Sequence, residues 1–352
     1  MPATSLYKAA ATLIASSGLA TLCAPFTGGM GTIFTLHRVI PRRRDTDFQP
    51  NKHLAVTPEF LDSVIARVRR RGYDIVTLTD AVRRLKTGRS DRPFCAFTLD
   101  DGYRDNIEYA LPVFRKHDAP FTVFVCTDVI DGTAVLWWEI LEAVLASTDR
   151  VEFDTGKDVL SISVPDALAK CDASRTIEKH LLAIPSEAEA RARVIALAEQ
   201  YGVDHKAICR ALGATWEEMK RAVKDPLFHV GAHTVSHPFL SRLSEAEIRA
   251  EVSRGRTRLE AELDVYIEHF AYPYGFKEAC AKREFEIVGT MGFKSAVTTR
   301  PGVLVADHAR TLQALPRVSL NGNYQNRAMV DSLISGVPFF IGNGFRRAPV
   351  LT

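Results

Sequence analysis

Two adjacent carboxylates, Asp100 and Asp101, stand at the end of a short apolar run that begins at Phe94. The run is long enough to form a strand that is buried on both faces. Two ionised aspartates at such a strand end repel each other, and burial adds a desolvation cost to each charge. The pair therefore needs a cation nearby, and strand ends of this kind are where parallel α/β enzymes assemble their active sites.

Two histidines, His233 and His237, follow a second strand-like run and stand four residues apart. One helical turn between them would place both imidazoles on the same face. A carboxylate, two imidazoles and an open position for water make up the ligand set of a catalytic zinc-type site. The two stretches together predict one bound divalent metal, for which Zn²⁺ is the expected ion.

Strand and helix patterns alternate around the two aspartates. Strand-like runs cover residues 31–39, 73–78, 94–101 and 120–125, and helical patterns cover residues 57–72, 79–85 and 106–116. This alternation predicts a parallel sheet with right-handed crossovers, which is either open or closed into a barrel.

A different pattern covers residues 137–225, where long helical stretches predict a helical insertion. Strand-like runs then resume at residues 227–232, 269–272 and 293–297. We therefore expect one main domain at residues 30–320 that carries the insertion, and a C-terminal tail at residues 321–352.

The first 29 residues predict an N-terminal helix, because residues 8–26 are mildly apolar. Ser16, Ser17 and Gly18 interrupt this run, which makes it too weak for a membrane-spanning helix. A helix packed on the protein or lying on a membrane surface is the favoured interpretation, and an export signal stays open as the alternative. We expect a cytoplasmic protein, with membrane association through this helix not decided by the sequence.

The overall composition excludes several classes of protein. With 46% hydrophobic and 25% charged residues, the 352-residue chain has the composition of a soluble globular enzyme. Its net charge of +3 is too small to indicate nucleic-acid binding. None of the six cysteines forms a Cys-x-x-Cys pair, which argues against a disulfide framework and favours a reducing compartment.

Three short motifs together resemble those of the polysaccharide deacetylase family, also called the NodB-homology or carbohydrate esterase 4 family. They lie at residues 98–102, 233–237 and 271–275, and the resemblance covers roughly residues 30–320. It implies a distorted (β/α)7-type barrel with a helical insertion. It also implies metal-dependent removal of acetate from N-acetylglucosamine-type sugars in a chitooligosaccharide or a surface polysaccharide.

The same resemblance implies roles for individual residues. Asp101, His233 and His237 would bind the metal. Asp100 would be the general base, and adjacent strand residues that point to opposite faces would explain why the two aspartates differ in role. The backbone N–H of Tyr274 would be an oxyanion donor. The residues expected to contact the sugar are Tyr272, Pro273, Tyr274 and Trp138.

The general acid and the cation beside the base depart from the usual family pattern. No C-terminal Leu-x-His motif is present, but residues 36–39 fit the Leu-His-x-Val form of a subset with permuted motifs. We therefore expect His37 to be the general acid, with His308 as the weaker candidate. Ala271 occupies the position of the usual motif arginine, and Arg317 is the expected replacement partner of Asp100, with a surface arginine as the alternative.

Two other functions compete with deacetylation at this stage. A glycoside hydrolase would need two carboxylates that flank a glycosidic bond, and it leaves the histidine pair unexplained. A non-catalytic carbohydrate-binding protein on a deacetylase fold is kept open by the missing motif arginine. Metal content and acetate release would separate these hypotheses.

Overall fold

A computed structural model describes Cys23, residues 26–42 and residues 48–345. The predicted N-terminal helix at residues 1–29 lies almost entirely outside these residues, so its contact with a membrane surface stays a prediction. Among the helices that the structure describes, none combines the length and apolar character needed to cross a bilayer.

Seven parallel strands close into a barrel, and neighbours in the barrel follow the order of the chain. The first strand, Gly31–Leu36, closes the ring because it pairs with both the second strand, Phe94–Asp101, and the last strand, Leu315–Ser319. The other strands are Phe121–Val125, Phe228–Ala232, His269–Ala271 and Ser295–Pro301. The predicted (β/α)7 barrel is confirmed, and the sheet is closed rather than open.

Burial on both faces explains why these strands are continuous apolar runs. All eight residues of Phe94–Asp101 are buried, since one face points into the barrel and the other packs under the surrounding helices. Thr57 caps the first outer helix by accepting a hydrogen bond from Phe60 N at 3.1 Å. The outer helices include Pro58–Arg70, Leu78–Thr87, Leu111–Lys116, Glu245–Leu263 and Lys282–Gly289. A short π-helical segment, Asn106–Ala110, precedes the third of these.

The insertion contains a β-hairpin as well as helices. Its helices are Trp137–Ser147, Ala167–Ala183, Glu187–Gln200, His205–Leu212 and Trp216–Ala222. The antiparallel strands Arg150–Asp154 and Val159–Ser163 correct the expectation of a purely helical insertion. The first of these strands alternates exposed and buried residues, with Val151 and Phe153 inside. These two side chains belong to a separate apolar cluster of the insertion.

The C-terminal segment forms two helices that pack against the barrel. They are Arg327–Ile334 and Val337–Gly342, and residues 346–352 lie outside the described part of the chain. Asp331 accepts a hydrogen bond from Arg67 Nε at 2.8 Å, which ties the first of these helices to the outer helix Pro58–Arg70. Phe339 is buried in the main apolar core.

Candidate active site

The carboxyl ends of the barrel strands open into a cavity of about 810 Å³. Strand ends contribute a group of polar side chains to its floor: His37, Asp100, Asp101, His233, His237 and Tyr274. These residues come from four different strand ends, so only closure of the barrel brings them together. An arrangement of this kind is where barrel enzymes place their chemistry.

Asp101, His233 and His237 form a cluster that could hold a metal ion. Asp101 Oδ1 lies 3.4 Å from His233 Nε2 and 3.4 Å from His237 Nε2. Ligand atoms at tetrahedral positions about 2.1 Å from a common ion lie about 3.4 Å apart, so the observed spacing fits a cation between them. Asp101 Oδ1 is also buried and has no hydrogen-bond partner within the described residues, which leaves a lone pair for an ion.

The protonation states of this cluster also suit a cation. Burial lowers the pKa of His237 to about 3, so its imidazole is neutral at pH 7. Burial opposes ionisation of Asp101, but the adjacent imidazoles outweigh it and keep the pKa of this carboxyl below its usual range. His233 Nδ1 lies 2.7 Å from the carbonyl oxygen of Ala271, to which it donates, so Nε2 is the ring nitrogen that faces Asp101.

The backbone around these ligands differs from the expected geometry in two places. The segment from His233 to His237 is a loop rather than a helical turn, with φ of 66° at Thr234 and 59° at His237. Asp101 has a φ of 78°, which interrupts the alternation of the strand. Because of this local backbone change, Asp100 and Asp101 line the same cavity instead of pointing to opposite faces.

Asp100 is held by a fully buried guanidinium. Arg317 Nη1 donates to Asp100 Oδ1 at 2.7 Å, and Arg317 Nη2 donates to Asp100 Oδ2 at 2.6 Å. Two further donations, from Nη1 to Thr98 Oγ1 and from Nε to Thr298 O, fix the orientation of the arginine. Burial by itself raises the pKa of Asp100, but the charge of Arg317 outweighs it and lowers the pKa below its usual range. Asp100 is therefore ionised at neutral pH.

His37 lies at the end of the first strand and lines the cavity. Its backbone is held by the segment that follows the two aspartates, since Asn106 Nδ2 donates to the carbonyl oxygen of His37 at 2.8 Å. Asp105 Oδ1 accepts from the N–H of Val39 at 3.0 Å. His308, the weaker candidate for the general acid, is buried away from this cavity with its Nδ1 accepting from Val305 N at 3.0 Å.

A family model described as Polysaccharide deacetylase matches residues 87–293, more than half of the chain. The chain belongs to the polysaccharide deacetylase family. Membership identifies it as a carbohydrate deacetylase, a hydrolase that acts on an acetylated polysaccharide. No curated protein sequence gives a significant match.

Solved deacetylase structures share this fold. The Streptococcus pyogenes deacetylase PplD, in complex with acetate, superposes with a TM-score of 0.57 at 17% identity, over 86% of this chain and 97% of that one. IcaB from Ammonifex degensii gives a TM-score of 0.55 at 19% identity, and the match covers 87% of this chain and 98% of that one. A de-N-acetylase from Aggregatibacter actinomycetemcomitans gives a TM-score of 0.53 at 11% sequence identity, and the match covers 86% of this chain and 99% of that one. At such low sequence identities, the similarity to these structures shows only that the fold is shared.

The aromatic residues expected to contact the sugar divide into two groups in this deacetylase. Tyr274 and Trp138 line the cavity, and Trp137 Nε1 donates to the hydroxyl oxygen of Tyr274 at 3.0 Å. The expectation for Tyr272 and Pro273 is wrong, because both are buried and neither lines the cavity. Tyr272 directs its hydroxyl group to the carbonyl oxygen of Gln313, at 2.9 Å.

One wall of the cavity comes from segments that sequence reasoning missed. The insertion helix Ala167–Ala183 contributes Cys171, Ser174, Arg175 and Glu178, and the loop before the first outer helix contributes Gln49, Pro50, Asn51, Lys52, His53 and Leu54. The amphipathic pattern of the helix indicates burial of one face, but it does not indicate that its neighbouring face borders a cavity. No local signal in the sequence distinguishes these residues.

Proposed function

We propose that the protein is a metal-dependent N-deacetylase that releases acetate from N-acetylglucosamine-type residues of an oligosaccharide or polysaccharide. The observation that carries the proposal is the Asp101, His233 and His237 cluster beside the Asp100–Arg317 ion pair, in one cavity. The donor set of one carboxylate and two imidazoles fits Zn²⁺. A divalent metal in this cluster would supply Lewis acidity toward water and toward the amide carbonyl.

Asp100 acts as the general base in this proposal. Its carboxylate takes the proton of the attacking water, because it is ionised and lines the cavity while Asp101 belongs to the ligand set. Arg317 holds the plane of the Asp100 carboxylate through two parallel hydrogen bonds. Asp100 Oδ1 retains a lone pair for a proton, since it accepts only from Arg317 Nη1, while Oδ2 also accepts from Thr35 Oγ1 at 3.5 Å.

The amide carbonyl and the leaving amine each require a further group. The backbone N–H of Tyr274 has no acceptor within the described residues, so it is available to the oxygen that becomes negative during attack. His37, which lines the same cavity, delivers a proton to the departing nitrogen. Without that proton the amine is a poor leaving group, and the tetrahedral intermediate returns to the substrate.

The cavity supports a short stretch of saccharide as the substrate. A volume of 810 Å³ is at the upper end of the range of about 300–1,000 Å³ for ligand pockets. Trp137, Leu141 and Tyr274 supply apolar surface for pyranose faces, and the ionised groups surround the acetamide. A chitooligosaccharide or an N-acetylglucosamine polymer of a cell surface has both the pyranose faces and the acetamide that these two parts of the cavity would bind.

The two competing functions have less support. A glycoside hydrolase requires two carboxylates available on either side of a bond. In this cavity Asp100 is engaged by Arg317, and Asp101 faces the two histidines. The hypothesis of a non-catalytic binding protein was motivated by the missing motif arginine, and Arg317 occupies the position next to Asp100 that this arginine would serve.

Acetate release from N-acetylglucosamine oligomers of increasing length tests the proposed function. The protein is assayed as purified, after chelation, and after addition of Zn²⁺ to the chelated sample. We expect acetate release that is lost with the chelator and recovered with the ion. Activity that survives complete metal removal would refute metal dependence, and cleavage of the sugar chain without acetate release would support a glycosidase.

A further inference from the structure

The loop between the two histidine ligands is held by a carboxylate outside the cavity. Glu251, on the helix Glu245–Leu263, accepts through Oε2 from the N–H of Val235 at 3.1 Å and from the N–H of Ser236 at 2.9 Å. Its Oε1 accepts from Ser236 Oγ at 3.0 Å. The loop belongs to no helix or strand, so Glu251 supplies the acceptors that regular secondary structure would otherwise provide.

This loop is strained and needs support from its surroundings. Thr234 and His237 both have a positive φ, a left-handed conformation that is unfavourable for residues other than glycine. The helix that carries Glu251 also approaches the loop closely at Gly255. A Cβ atom at Gly255 would lie 2.8 Å from the backbone carbon of Thr234, so only glycine permits this contact. One helix therefore both approaches the loop and binds its amides.

The two histidine ligands differ in how their rings are oriented. His233 donates from Nδ1 to the carbonyl oxygen of Ala271, which fixes the direction of its Nε2. Nδ1 of His237 is buried and has no hydrogen-bond partner within the described residues. Metal-binding histidines usually have such a partner. The direction of His237 Nε2 therefore depends on the loop backbone and on contacts of the imidazole ring. The ring centroid of His237 lies 5.5 Å from that of Trp138 and 4.7 Å from that of Tyr274.

We propose that Glu251 is a positioning residue for the metal site and that it acts through the backbone of the loop that ends at His237. The inference rests on the proposed function, because it assigns Glu251 a role toward the metal of that function. Loss of Glu251 leaves two loop amides without acceptors, the loop relaxes, and His237 Nε2 moves away from Asp101. Outer partners of this kind are typically worth about 10- to 100-fold in metal affinity.

The dissociation constant for Zn²⁺ alone tests the proposal, measured by competition with a chromophoric chelator on the full chain. Glu251→Ala and Glu251→Asp remove or shorten the carboxylate, and both should weaken binding by about 10- to 100-fold. Glu251→Gln keeps an amide oxygen for the two N–H groups and an NH₂ group for Ser236 Oγ, so it should bind within about threefold of the wild type. Glu245→Ala, on the same helix, removes an exposed first-turn carboxylate that pairs with Arg249 and lies away from the loop, and it is the matched control.

One further readout separates positioning from general destabilisation. The visible spectrum of the Co²⁺-loaded protein reports the coordination geometry, and we expect it to change in Glu251→Ala and Glu251→Asp but not in Glu251→Gln or Glu245→Ala. Unaltered Zn²⁺ affinity and Co²⁺ spectra in both Glu251→Ala and Glu251→Asp would overturn the inference. If Glu251→Ala fails to fold, Glu251→Asp decides alone. A wild-type protein that binds no Zn²⁺ would instead overturn the proposed function itself.

Discussion

Removal of the guanidinium beside Asp100 gives the sharpest test of the site. Arg317→Met deletes the cation that makes two hydrogen bonds to Asp100, while the carboxylate stays buried. It also removes the donors to Thr98 Oγ1 and Thr298 O. Breaking a buried ion pair by removing one partner costs about 3–5 kcal/mol of stability, because the remaining charge has no compensation.

The stability that Arg317→Met loses should depend on pH, because the pKa of Asp100 differs between the wild type and the variant. In the wild type, Arg317 overcomes burial and keeps the pKa of Asp100 low. The ion pair therefore contributes its full stabilisation above the unfolded-state pKa of about 3.9, and this stabilisation is lost as the pH falls through the folded pKa. Without Arg317, burial raises the pKa, so the folded variant retains a proton that its unfolded chain releases.

The stability of the variant consequently falls as the pH rises. For one proton, the free energy of unfolding changes by at most about 1.4 kcal/mol per pH unit. Over about three pH units the variant therefore loses about 4 kcal/mol of stability. This figure agrees with the expected cost of about 3–5 kcal/mol for a broken buried pair. The difference in free energy of unfolding between wild type and Arg317→Met should therefore grow between about pH 4 and pH 7.

Urea unfolding of the metal-free proteins at several pH values measures this difference. Arg300→Met is the matched control, because Arg300 Nη2 donates to the carbonyl oxygen of Cys280 at 3.0 Å and has no carboxylate partner in the described structure. Its effect should not vary with pH. Adding Asp100→Asn to Arg317→Met should recover stability, since the variant no longer buries an ionisable group. A pH-independent loss, or additive effects of the two substitutions, would refute the reasoning.

Three further predictions concern the catalytic groups. His237→Ala should lose most bound metal, as measured by elemental analysis, because one of three protein ligands is gone; metal content equal to that of the wild type would remove His237 from the ligand set. Asp100→Asn should retain metal and lose most acetate release, and a loss of metal as well would make Asp100 a ligand rather than the base. His37→Ala should retain metal while turnover falls by about 100- to 10,000-fold. Unchanged turnover in this last variant would assign the proton to another group.

The strands of the barrel could be predicted from the sequence because they are buried on both faces. Such strands are continuous apolar runs, and the helices between them carry apolar stripes and caps such as Thr57. The same runs indicated that Asp100 and His233 would lie on one rim, since parallel strands end on the same side. Closure of the ring could not be read from these patterns, because an open sheet requires the same alternation.

Parts of the site were predictable because they are local or because a charge requires a partner. Asp101, His233 and His237 stand in short motifs whose residue types already indicate metal ligands. A buried Asp100 demands a cation, which made a distant arginine reasonable to expect. Arg317 is 217 residues away from Asp100 in the chain, and no local pattern distinguishes it from a surface arginine.

Periodicity and short motifs in the sequence are enough to predict the alternating α/β class, the resemblance to the family and the residue types of the chemistry. Which side chains share the cavity depends on tertiary packing. The φ of 78° at Asp101 brings both aspartates to one side, and Tyr274 reaches the cavity while Tyr272, two residues earlier, is buried. The wall formed by the helix Ala167–Ala183 likewise exists only after packing. Backbone turns and contacts between distant segments are set by the whole packed chain, so no single stretch of sequence contains them.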